Sequence, residues 1–341
     1  MAHLTPKENI MRVMHGEFPE WVPSYSYYGA LPGVEEAPPN MSLASSLAMK
    51  GMGGGGKTVW GVPMESVDAV GGFALPKPGH FILKDISEWR EVIKAPDISG
   101  VDWDDIVKKD MEKLNYSRDN VALFLNSNGG YFQDLMAFMG FTEGLIAMNT
   151  EPEEVMELFR YMHKFYITIL ENYIDRVKPD VLHLSDDTAA EMAPFVSPTM
   201  FREMLLPLYD DFARFARNRG IPISFHNCGK CGVFFNDLVR IGVNAWEPVQ
   251  LSNDILEIQK KFGRNLAIGG GWEGRGRLVA DDVTDEEIRE SVRVAINTYA
   301  PNGGFFFAGA YTPSAIDDPV TRHRNEVLQR EVYDYGHKFY K

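Results

Sequence analysis

The sequence predicts a (β/α)₈ barrel of the TIM-barrel class, and three observations lead to this fold class. From residue 120 onward, short apolar runs alternate with longer amphipathic stretches, which predicts parallel strands covered by helices. Counting one strand near the N-terminus and another expected within 58–75 gives about eight strands, the number that closes a barrel. The 341 residues contain no repeat, charge block or linker, so we expect a single domain over 1–341.

The N-terminal part of the chain carries a helix, a strand and an irregular insertion. Thr5-Pro6 followed by Glu8 is typical of a helix start, and this helix is expected to end near His15. The aromatic run 21–28 predicts the first barrel strand. Residues 30–80 are interpreted as an irregular insertion over the barrel mouth, because prolines and glycines interrupt them. Two further helices are expected, over 86–94 and 104–114.

The rest of the chain supplies the regular alternation. Strand-like runs cover 121–126, 181–185, 221–226, 245–249, 266–269 and 304–308. Helical stretches lie between or after them, at 131–147, 152–177, 199–218, 232–241, 252–262 and 284–299. Because the carboxyl ends of parallel strands share one edge, polar residues that follow these strands are expected to meet at the barrel mouth.

Net charge and cysteine content exclude several classes of function. The 34 basic and 48 acidic side chains give a net charge of −14, which argues against nucleic acid or an anionic membrane as partner. No apolar run approaches the roughly 20 residues of a membrane span, and no signal peptide precedes the first helix. Two cysteines so close in sequence cannot cross-link a large fold. We therefore expect a cytoplasmic protein, and the oligomeric state stays open, with a homodimer as one option.

A glycine-rich run matches the sequence pattern of a nucleotide-binding loop but lacks the expected flanking strand and helix. Gly51 to Thr58 satisfies G-x-x-x-x-G-K-[ST], but that motif requires a strand before the loop and a helix after it. The preceding residues are helix-like, and Gly61 and Pro63 interrupt the segment that follows. We interpret this run as a loop near the barrel mouth.

The stretch 222–232 concentrates the residues best suited to chemistry. His226 and Cys228 follow a predicted strand, and on an extended chain their side chains point the same way, which suits a borderline-soft metal such as zinc. Glu247, at the end of the next strand, is a candidate for a further ligand or for an acid. Cys231 is a weaker candidate because it would lie in the first turn of the next helix. The predicted metal ligands are therefore His226, Cys228 and Glu247.

Several motifs resemble one enzyme superfamily in their order and spacing. They lie at 5–12, 179–187 (PDVLHLSDD), 196–207 (VSPTMFREMLLP), 225–229 (FHNCG), 238–247 (LVRIGVNAWE) and 267–271 (AIGGG). Over nearly the whole chain this pattern resembles the uroporphyrinogen decarboxylase superfamily. The resemblance implies a (β/α)₈ barrel, in agreement with the alternation of strands and helices. It also implies either cofactor-free decarboxylation of porphyrinogens or methyl transfer to or from a cobalt corrinoid (cobalamin).

Departures from the decarboxylase pattern favour the methyltransferase branch. The decarboxylases carry an arginine-rich segment after the first strand, where this chain reads Tyr25-Ser-Tyr-Tyr28 without arginine. They also carry a glycine–histidine pair near the last strand, which this chain lacks. Thiol-methylating relatives carry a second zinc-binding cysteine there, at the place of Ala310 and Tyr311. The resemblance thus favours demethylation of a small methylated donor, a methoxyaromatic ether, onto the corrinoid of a partner protein.

Other functions stay open at this level. They are a uroporphyrinogen-decarboxylase-like decarboxylase, a zinc-dependent methyl-corrinoid:thiol methyltransferase, and a non-catalytic barrel that holds a ligand or metal at His226 and Cys228.

The methyl-transfer hypothesis assigns roles to residues at the predicted strand ends. Expulsion of a phenoxide, whose conjugate acid has a pKa of roughly 10, requires a proton or a Lewis acid. The catalytic candidates are Asp187, Glu247 and His226. A flat, neutral donor is held by aromatic walls and a few polar anchors. The substrate-binding candidates are Tyr25, Tyr27, Tyr28, Asn126, Asn128, Asp186, Trp246, Trp272 and Tyr311. His183, by contrast, is expected to pack in the barrel wall.

Overall fold

Parallel strands form the wall of a barrel in the computed structural model. The structure describes residues 4–26, 30–51, 55–68, 72–315 and 317–341. Within them the strands are β1 (Asn40–Leu43), β2 (Gly56–Lys57), β3 (Pro63–Val67), β4 (Phe73–Pro76), β5 (Ala122–Asn126), β6 (Val181–Ser185), β7 (Ile223–His226), β8 (Val243–Val249), β9 (Ala267–Gly270) and β10 (Phe305–Phe307). In this described part, the main sheet has the order β1-β5-β6-β7-β8-β9-β10, and every neighbouring pair is parallel.

The N-terminal segment closes the ring between β10 and β1. Ser24 forms a parallel bridge with Phe307, whose carbonyl accepts a hydrogen bond from the Tyr25 N–H at 2.8 Å. On the other side, the Asn40 side chain exchanges two hydrogen bonds with the backbone of Ser26, each 2.9 Å long. This segment therefore takes the remaining position in the ring, and the predicted (β/α)₈ fold class is confirmed.

The second barrel strand lies outside the region where the sequence predicted it. β1 takes that place beside β5, whereas 58–75 contributes to a separate antiparallel sheet of β2, β3 and β4. β1 has four residues, two of them polar, and follows Pro38-Pro39, so its sequence carries little strand signal. The prediction of a barrel strand within 58–75 is wrong, and the insertion contains a small sheet of its own.

Helices lie close to the predicted stretches, and they cover the outside of the main sheet except for α1, whose buried side chains pack into the barrel interior. They are α1 (Pro6–Met14), α2 (Trp89–Val92), α3 (Trp103–Met111), α4 (Tyr131–Met139), α5 (Phe141–Thr150), α6 (Pro152–Val177), α7 (Pro198–Met200), α8 (Leu206–Arg217), α9 (Phe235–Arg240), α10 (Ile255–Phe262), α11 (Asp285–Tyr299) and α12 (Pro319–Gly336). The predicted helix 131–147 is divided at Gly140, whose φ of +85° ends α4. A π-helical turn, Phe201–Leu205, divides the predicted helix 199–218. None of the helices in the described ranges has the length and apolar character that crossing a membrane requires.

The strand pleat sorts side chains between the barrel interior and the helix layer. The interior core is a separate cluster, formed by Ile10, Val13, Met14, Tyr25, Ala122, Phe124, Val181, Ala245, Ala267, Phe306 and Ala308. Intervening residues such as Leu123 and Trp246 belong to the larger core beneath the helices. Because side chains alternate along a strand, Asn126, His183 and Glu247 continue the interior rows towards the carboxyl edge. The pleat therefore brings polar side chains together at the barrel mouth.

An acidic side chain at the start of α11 is held in its ionised form by the fold. Thr284 caps the helix, and the Glu287 carboxylate accepts hydrogen bonds from the Thr284 N–H and from Arg277 Nε, both 2.8 Å long. The hydrogen bond from Arg277, followed by those from Thr284, lowers the pKa of Glu287 to about 2. Its contribution to stability is therefore complete above the ordinary pKa and is lost as the pH falls through about 2.

We expect Glu287→Gln to flatten the pH dependence of the free energy of unfolding between the ordinary pKa of 4.5 and about 2. Denaturant titrations at a series of pH values measure this dependence. Glu290→Gln, an exposed change on the same helix, is the matched control. An unchanged slope in Glu287→Gln would contradict the role given to this capping interaction.

Candidate active site at the barrel mouth

A cavity of about 320 Å³ opens at the carboxyl edge of β5, β6 and β7. Barrel strand ends and the α4 start form one wall, and residues 48–49 and 58–60 of the insertion form part of the lining. The lining residues are Ala48, Met49, Thr58, Val59, Trp60, Asn126, Asn128, Gly129, Gly130, Gln133, Asp134, Tyr166, His183, Ser185 and His226. Side chains from three neighbouring strands thus meet where (β/α)₈ enzymes place their active sites.

A larger surface cavity, of about 600 Å³, lies outside the barrel between α5, α6 and residues 200–204. Its lining consists mainly of methionine and glutamate side chains, such as Met156, Glu157, Met200 and Glu203, and no strand end reaches it. We place the candidate site at the barrel mouth, where the histidine and cysteine side chains are.

His226 ends β7 and lies between two carboxylates. Its Nδ1 is 3.1 Å from both carboxylate oxygens of Glu247, its register partner on β8. Its Nε2 faces the other way, 3.6 Å from Cys228 Sγ and 3.7 Å from Asp187 Oδ1. Burial opposes a charge on the ring, but the Glu247 carboxylate and the Cys228 contact outweigh it, so the pKa of His226 lies well above its usual value. Glu247, which is fully buried, therefore fixes the orientation of the ring.

The loop after β7 holds Cys228 beside that ring. The Cys228 N–H donates to Asp187 Oδ1 at 2.8 Å. Asn227 binds back to Thr188, accepting from its N–H at 3.1 Å and donating to its Oγ1 at 2.8 Å. Gly229 has a φ of +83°, and a Cβ there would lie 2.4 Å from a carbonyl oxygen of the β6 loop, so only glycine fits. Burial raises the pKa of the Cys228 thiol, against the opposing effect of His226.

Two sets of side chains that fit a metal ion share His226. The outer set is Asp187, His226 and Cys228, and the inner set is His183, His226 and Glu247; within each, the ligand atoms lie within 4.8 Å of one another. The predicted set of His226, Cys228 and Glu247 is not brought together, because Cys228 and Glu247 face different ring nitrogens. The outer set offers the nitrogen, sulfur and carboxylate donors of zinc sites. With Nε2 of His226 facing the outer set, Nδ1 contacts Glu247. In zinc sites a carboxylate in this position orients the histidine ring.

The adjacent acids after β6 point in different directions. Asp187 lies at the mouth, where it contacts Cys228 and accepts a hydrogen bond from Gln133 Nε2 at 3.0 Å. Asp186 is fully buried, and it accepts hydrogen bonds from the Phe132 N–H (2.9 Å), the Gln133 N–H (3.1 Å) and the Tyr209 hydroxyl (2.7 Å). Burial raises the pKa of Asp186 to about 7 despite these bonds. Asp186, a predicted substrate residue, anchors the first turn of α4 and does not line the described cavity.

Two predicted substrate residues, Asn126 and Asn128, line the cavity. Asn126 ends β5, and the Asn128 Nδ2 donates to the Asn126 carbonyl at 3.0 Å. Asn128 has a φ of +63°, a left-handed conformation that asparagine tolerates better than most residues. The Oδ1 atoms of both side chains are buried and have no hydrogen-bond partner within the described residues.

Trp246 lies on the helix side of β8, away from the cavity. It stacks on Phe235 with ring centroids 4.0 Å apart, and its Nε1 donates to the Asn227 carbonyl at 3.0 Å. Cys231 is also fully buried here, with its Sγ 3.3 Å from the same carbonyl oxygen. Alternation along β8 turns Glu247 inward and Trp246 outward, so the structure does not bring Trp246, a predicted substrate residue, to the described cavity.

The remaining predicted aromatic residues are not brought to the cavity. Trp272 and Tyr311 pack edge to face, 5.1 Å apart, and Trp272 Nε1 donates to Ser291 Oγ at 2.8 Å. Tyr25 lies in the barrel interior against Phe124, and its burial raises the pKa of the hydroxyl. None of the three lines the described cavity, so their predicted contact with substrate is not supported. Tyr27 and Tyr28 lie outside the described residues.

The sequence did not identify several residues that line the cavity, among them Trp60, Tyr166, Asp134 and His183. Trp60 Nε1 donates to the Tyr166 hydroxyl at 2.6 Å, and that hydroxyl donates to Asp134 Oδ2 at 2.8 Å. Burial raises the pKa of Asp134 to about 7. His183 faces the cavity, with its Nε2 3.6 Å from Glu247 Oε1, and burial lowers its pKa to about 4. The alternation of Val181, His183 and Ser185 is the signal that identifies His183 as inward-facing.

Comparisons with known proteins agree with this architecture. A family model described as uroporphyrinogen decarboxylase (URO-D) matches residues 129–311, more than half of the chain. A methyltransferase structure from Methanosarcina mazei superposes with a TM-score of 0.60 at 13% identity, over 98% of this chain and 99% of that one. A B12-independent methionine synthase from Shewanella sp. W3-18-1, solved with selenomethionine, gives a TM-score of 0.47 at 9% identity, over 73% and 71%. No curated protein sequence matches. The chain belongs to the uroporphyrinogen decarboxylase (URO-D) family.

Proposed function

We propose that this protein is a methyltransferase that moves a methyl group from a small methoxyaromatic ether to the Co(I) corrinoid of a partner protein. The observation that carries the proposal is the cavity at the barrel mouth, which joins an indole wall at Trp60 to His226. Its volume of about 320 Å³ suits a donor with a single ring. The Methanosarcina mazei protein of the same fold is itself a methyltransferase, in line with this proposal.

Methyl transfer requires that the departing oxygen, the methyl carbon and the cobalt lie in line, and that the leaving group is activated. The methyl carbon must lie between the departing oxygen and the cobalt, so the donor sits within the cavity while the partner protein docks over the open mouth. A phenol has a pKa of roughly 10, so a departing phenoxide needs stabilisation near neutral pH. Zinc held by Asp187, His226 Nε2 and Cys228 would supply a Lewis acid for that oxygen.

The protein's own side chains position these groups. Glu247 accepts the hydrogen bond of His226 Nδ1–H and thereby turns Nε2 towards Cys228 and Asp187. Gln133 Nε2 donates to Asp187 and holds that carboxylate beside the Cys228 N–H. In this account, His226, Asp187 and Cys228 would hold the zinc ion beside the departing oxygen, and Glu247 acts as a positioning residue.

Two alternative functions receive less support from the site. Decarboxylation of a substrate with many carboxylates requires cations, and no lysine or arginine is found among the described residues that line the cavity. Transfer to a thiol in the related branch uses a second cysteine near the last strand, where Ala310 and Tyr311 stand. Cys231 does not replace it, because it is buried in the helix-side core.

We expect the purified protein to bind about one zinc ion per chain through the outer set. Cys228→Ser should lose the metal, because the thiolate is a ligand, whereas Cys231→Ser should keep it. His183→Ala should also keep it, since His183 belongs to the inner set. Metal analysis after dialysis measures the content of each variant. Loss of zinc in His183→Ala with retention in Cys228→Ser would move the site to the inner set.

The function is tested by incubating the protein with reduced cobalamin and a panel of methoxyphenols. The proposal predicts conversion of the Co(I) spectrum to that of methyl-Co(III), together with release of the demethylated phenol. Release of carbon dioxide from a carboxylated substrate without cobalamin would support the decarboxylase instead. No reaction in either assay would leave a binding barrel as the better description.

A further inference from the structure

The side chains that line the cavity present hydrogen-bond acceptors to its ligand, and a zinc ion in the outer set would bring no net positive charge, because Asp187 and the Cys228 thiolate balance it. Among the described residues that line it, none is lysine or arginine. The Glu247 and Asp187 carboxylates flank the two ring nitrogens of His226 and balance a positive charge on that ring. Asp134 adds a carboxylate to the lining, held by the Tyr166 hydroxyl. The Oδ1 atoms of Asn126 and Asn128 add two acceptors.

The N-terminus of α4, which lies at the cavity, does not provide a binding site for a carboxylate in place of lysine or arginine. α4 begins at the cavity, and free N–H groups at a helix N-terminus bind carboxylates. Here the N–H groups of Phe132 and Gln133 both donate to the carboxylate of Asp186. The anion site of this helix is thus already occupied by a side chain of the protein.

On the basis of the proposed function, we propose that the cavity selects uncharged methoxyphenols with a free hydroxyl group and rejects methoxybenzoates. The free hydroxyl donates to the unpartnered Oδ1 of Asn126 or Asn128, and the ring lies against Trp60. A phenol with a pKa of roughly 10 is neutral at pH 7 and also at pH 8, so an ionised Asp134 does not repel it. A carboxylate would lose its hydration without finding a lysine, an arginine or a free helix start among the described residues that line the cavity.

Because the Oδ1 atoms of Asn126 and Asn128 lack a donor, tight binding is expected to require a hydroxyl group on the ligand. A buried carbonyl oxygen without a partner is unfavourable, and a ligand that donates to it removes that cost. A ligand of the same shape that lacks the hydroxyl leaves the oxygen unpaired, and it is expected to bind roughly tenfold to a hundredfold more weakly. The hydroxyl group and the absence of a carboxylate are therefore two separate criteria.

The experiment measures binding to the full chain without corrinoid, by isothermal titration calorimetry. The ligands are guaiacol (2-methoxyphenol), veratrole (1,2-dimethoxybenzene) and vanillate (4-hydroxy-3-methoxybenzoate). Guaiacol is expected to bind most tightly, and both other ligands at least about tenfold more weakly. Equal or tighter binding of vanillate, or of veratrole, would overturn the inference, as would the failure of all three to bind.

Two variants test the requirement for a hydroxyl group and the rejection of a carboxylate separately. Asn128→Gly keeps the left-handed backbone and removes one acceptor, so it should reduce the preference for guaiacol over veratrole. Asp134→Asn keeps an oxygen for the Tyr166 hydroxyl and cannot ionise, so at a pH above about 7, where the wild-type carboxyl group is ionised, it should reduce the preference for guaiacol over vanillate. Asp281→Asn, an exposed change outside the cavity, is the matched control. Unchanged preferences in both cavity variants would contradict the assignment.

Binding and methyl transfer together distinguish this inference from the proposed function. If guaiacol binds selectively but no methyl group reaches cobalamin, the selectivity stands and the proposed function is wrong. If methyl transfer occurs with vanillate as the preferred donor, the proposed function stands and the selectivity is wrong.

Discussion

Replacing His226 with asparagine should abolish methyl transfer while leaving the fold almost unchanged. The Asn Nδ2 occupies nearly the place of His Nδ1 and can donate to Glu247, whereas nothing remains at the Nε2 position beside Cys228 and Asp187. We expect kcat/KM to fall by roughly a thousandfold or more, because a metal ligand and an activating group are lost together. Steady-state rates with reduced cobalamin measure this loss.

The control for His226→Asn is the same change at an exposed histidine. His323 lies exposed on α12, contacts Asp285 and does not line the cavity, so His323→Asn should keep full activity. His226→Asn should lower the free energy of unfolding by less than about 1 kcal/mol, because the buried Glu247 keeps a partner. A His226→Asn protein that is folded and as active as the wild type would contradict the placement of the site.

The neighbouring acids Asp186 and Asp187 should give opposite phenotypes. Asp186→Ala leaves the buried N–H groups of Phe132 and Gln133 and the hydroxyl of Tyr209 without their acceptor. We expect the free energy of unfolding to fall by about 3 kcal/mol or more, since each unsatisfied buried donor costs about 1–3 kcal/mol. Denaturant titration measures the difference from the wild type.

Asp187→Ala is the matched comparison one residue further along the chain. Asp187 is partly exposed at the mouth, so its removal should cost less than about 1 kcal/mol of stability. It should, however, lower the affinity for zinc and the rate of methyl transfer, because it belongs to the outer set. Equal losses of stability in the two variants would contradict the opposite orientations of these side chains.

Much of the fold could be predicted from the sequence because periodicity is a local signal. The long apolar-periodic stretch 152–177 coincides with α6, and 181–185 coincides with β6. β1 could not be predicted, since its short, polar sequence becomes a strand through pairing with β5. The division of 131–147 depends on Gly140, where a Cβ would meet the Phe81 ring at 2.9 Å. Contacts between distant residues decide such details.

The candidate site could be predicted in part, for a related reason. The position of His226 and Cys228 after a strand placed them at the mouth, and the position of Glu247 followed from the same rule. Which of two adjacent side chains faces the cavity depends on strand pairing and on the path of the following loop, and in the structure neither Asp186 nor Trp246 lines the described cavity. Trp60 could not be found, because its place beside the barrel depends on the path of the insertion.

The most direct measurement follows the methyl group itself from donor to cobalt. Guaiacol with a fully deuterated methoxy group is mixed with the protein and reduced cobalamin, and the cobalamin is examined by mass spectrometry. An intact deuterated methyl group on cobalt, matched by release of catechol and absent with His226→Asn, is the result we expect. Unmodified cobalamin beside intact donor, with zinc bound and the protein folded, would show that this barrel does not demethylate aromatic ethers.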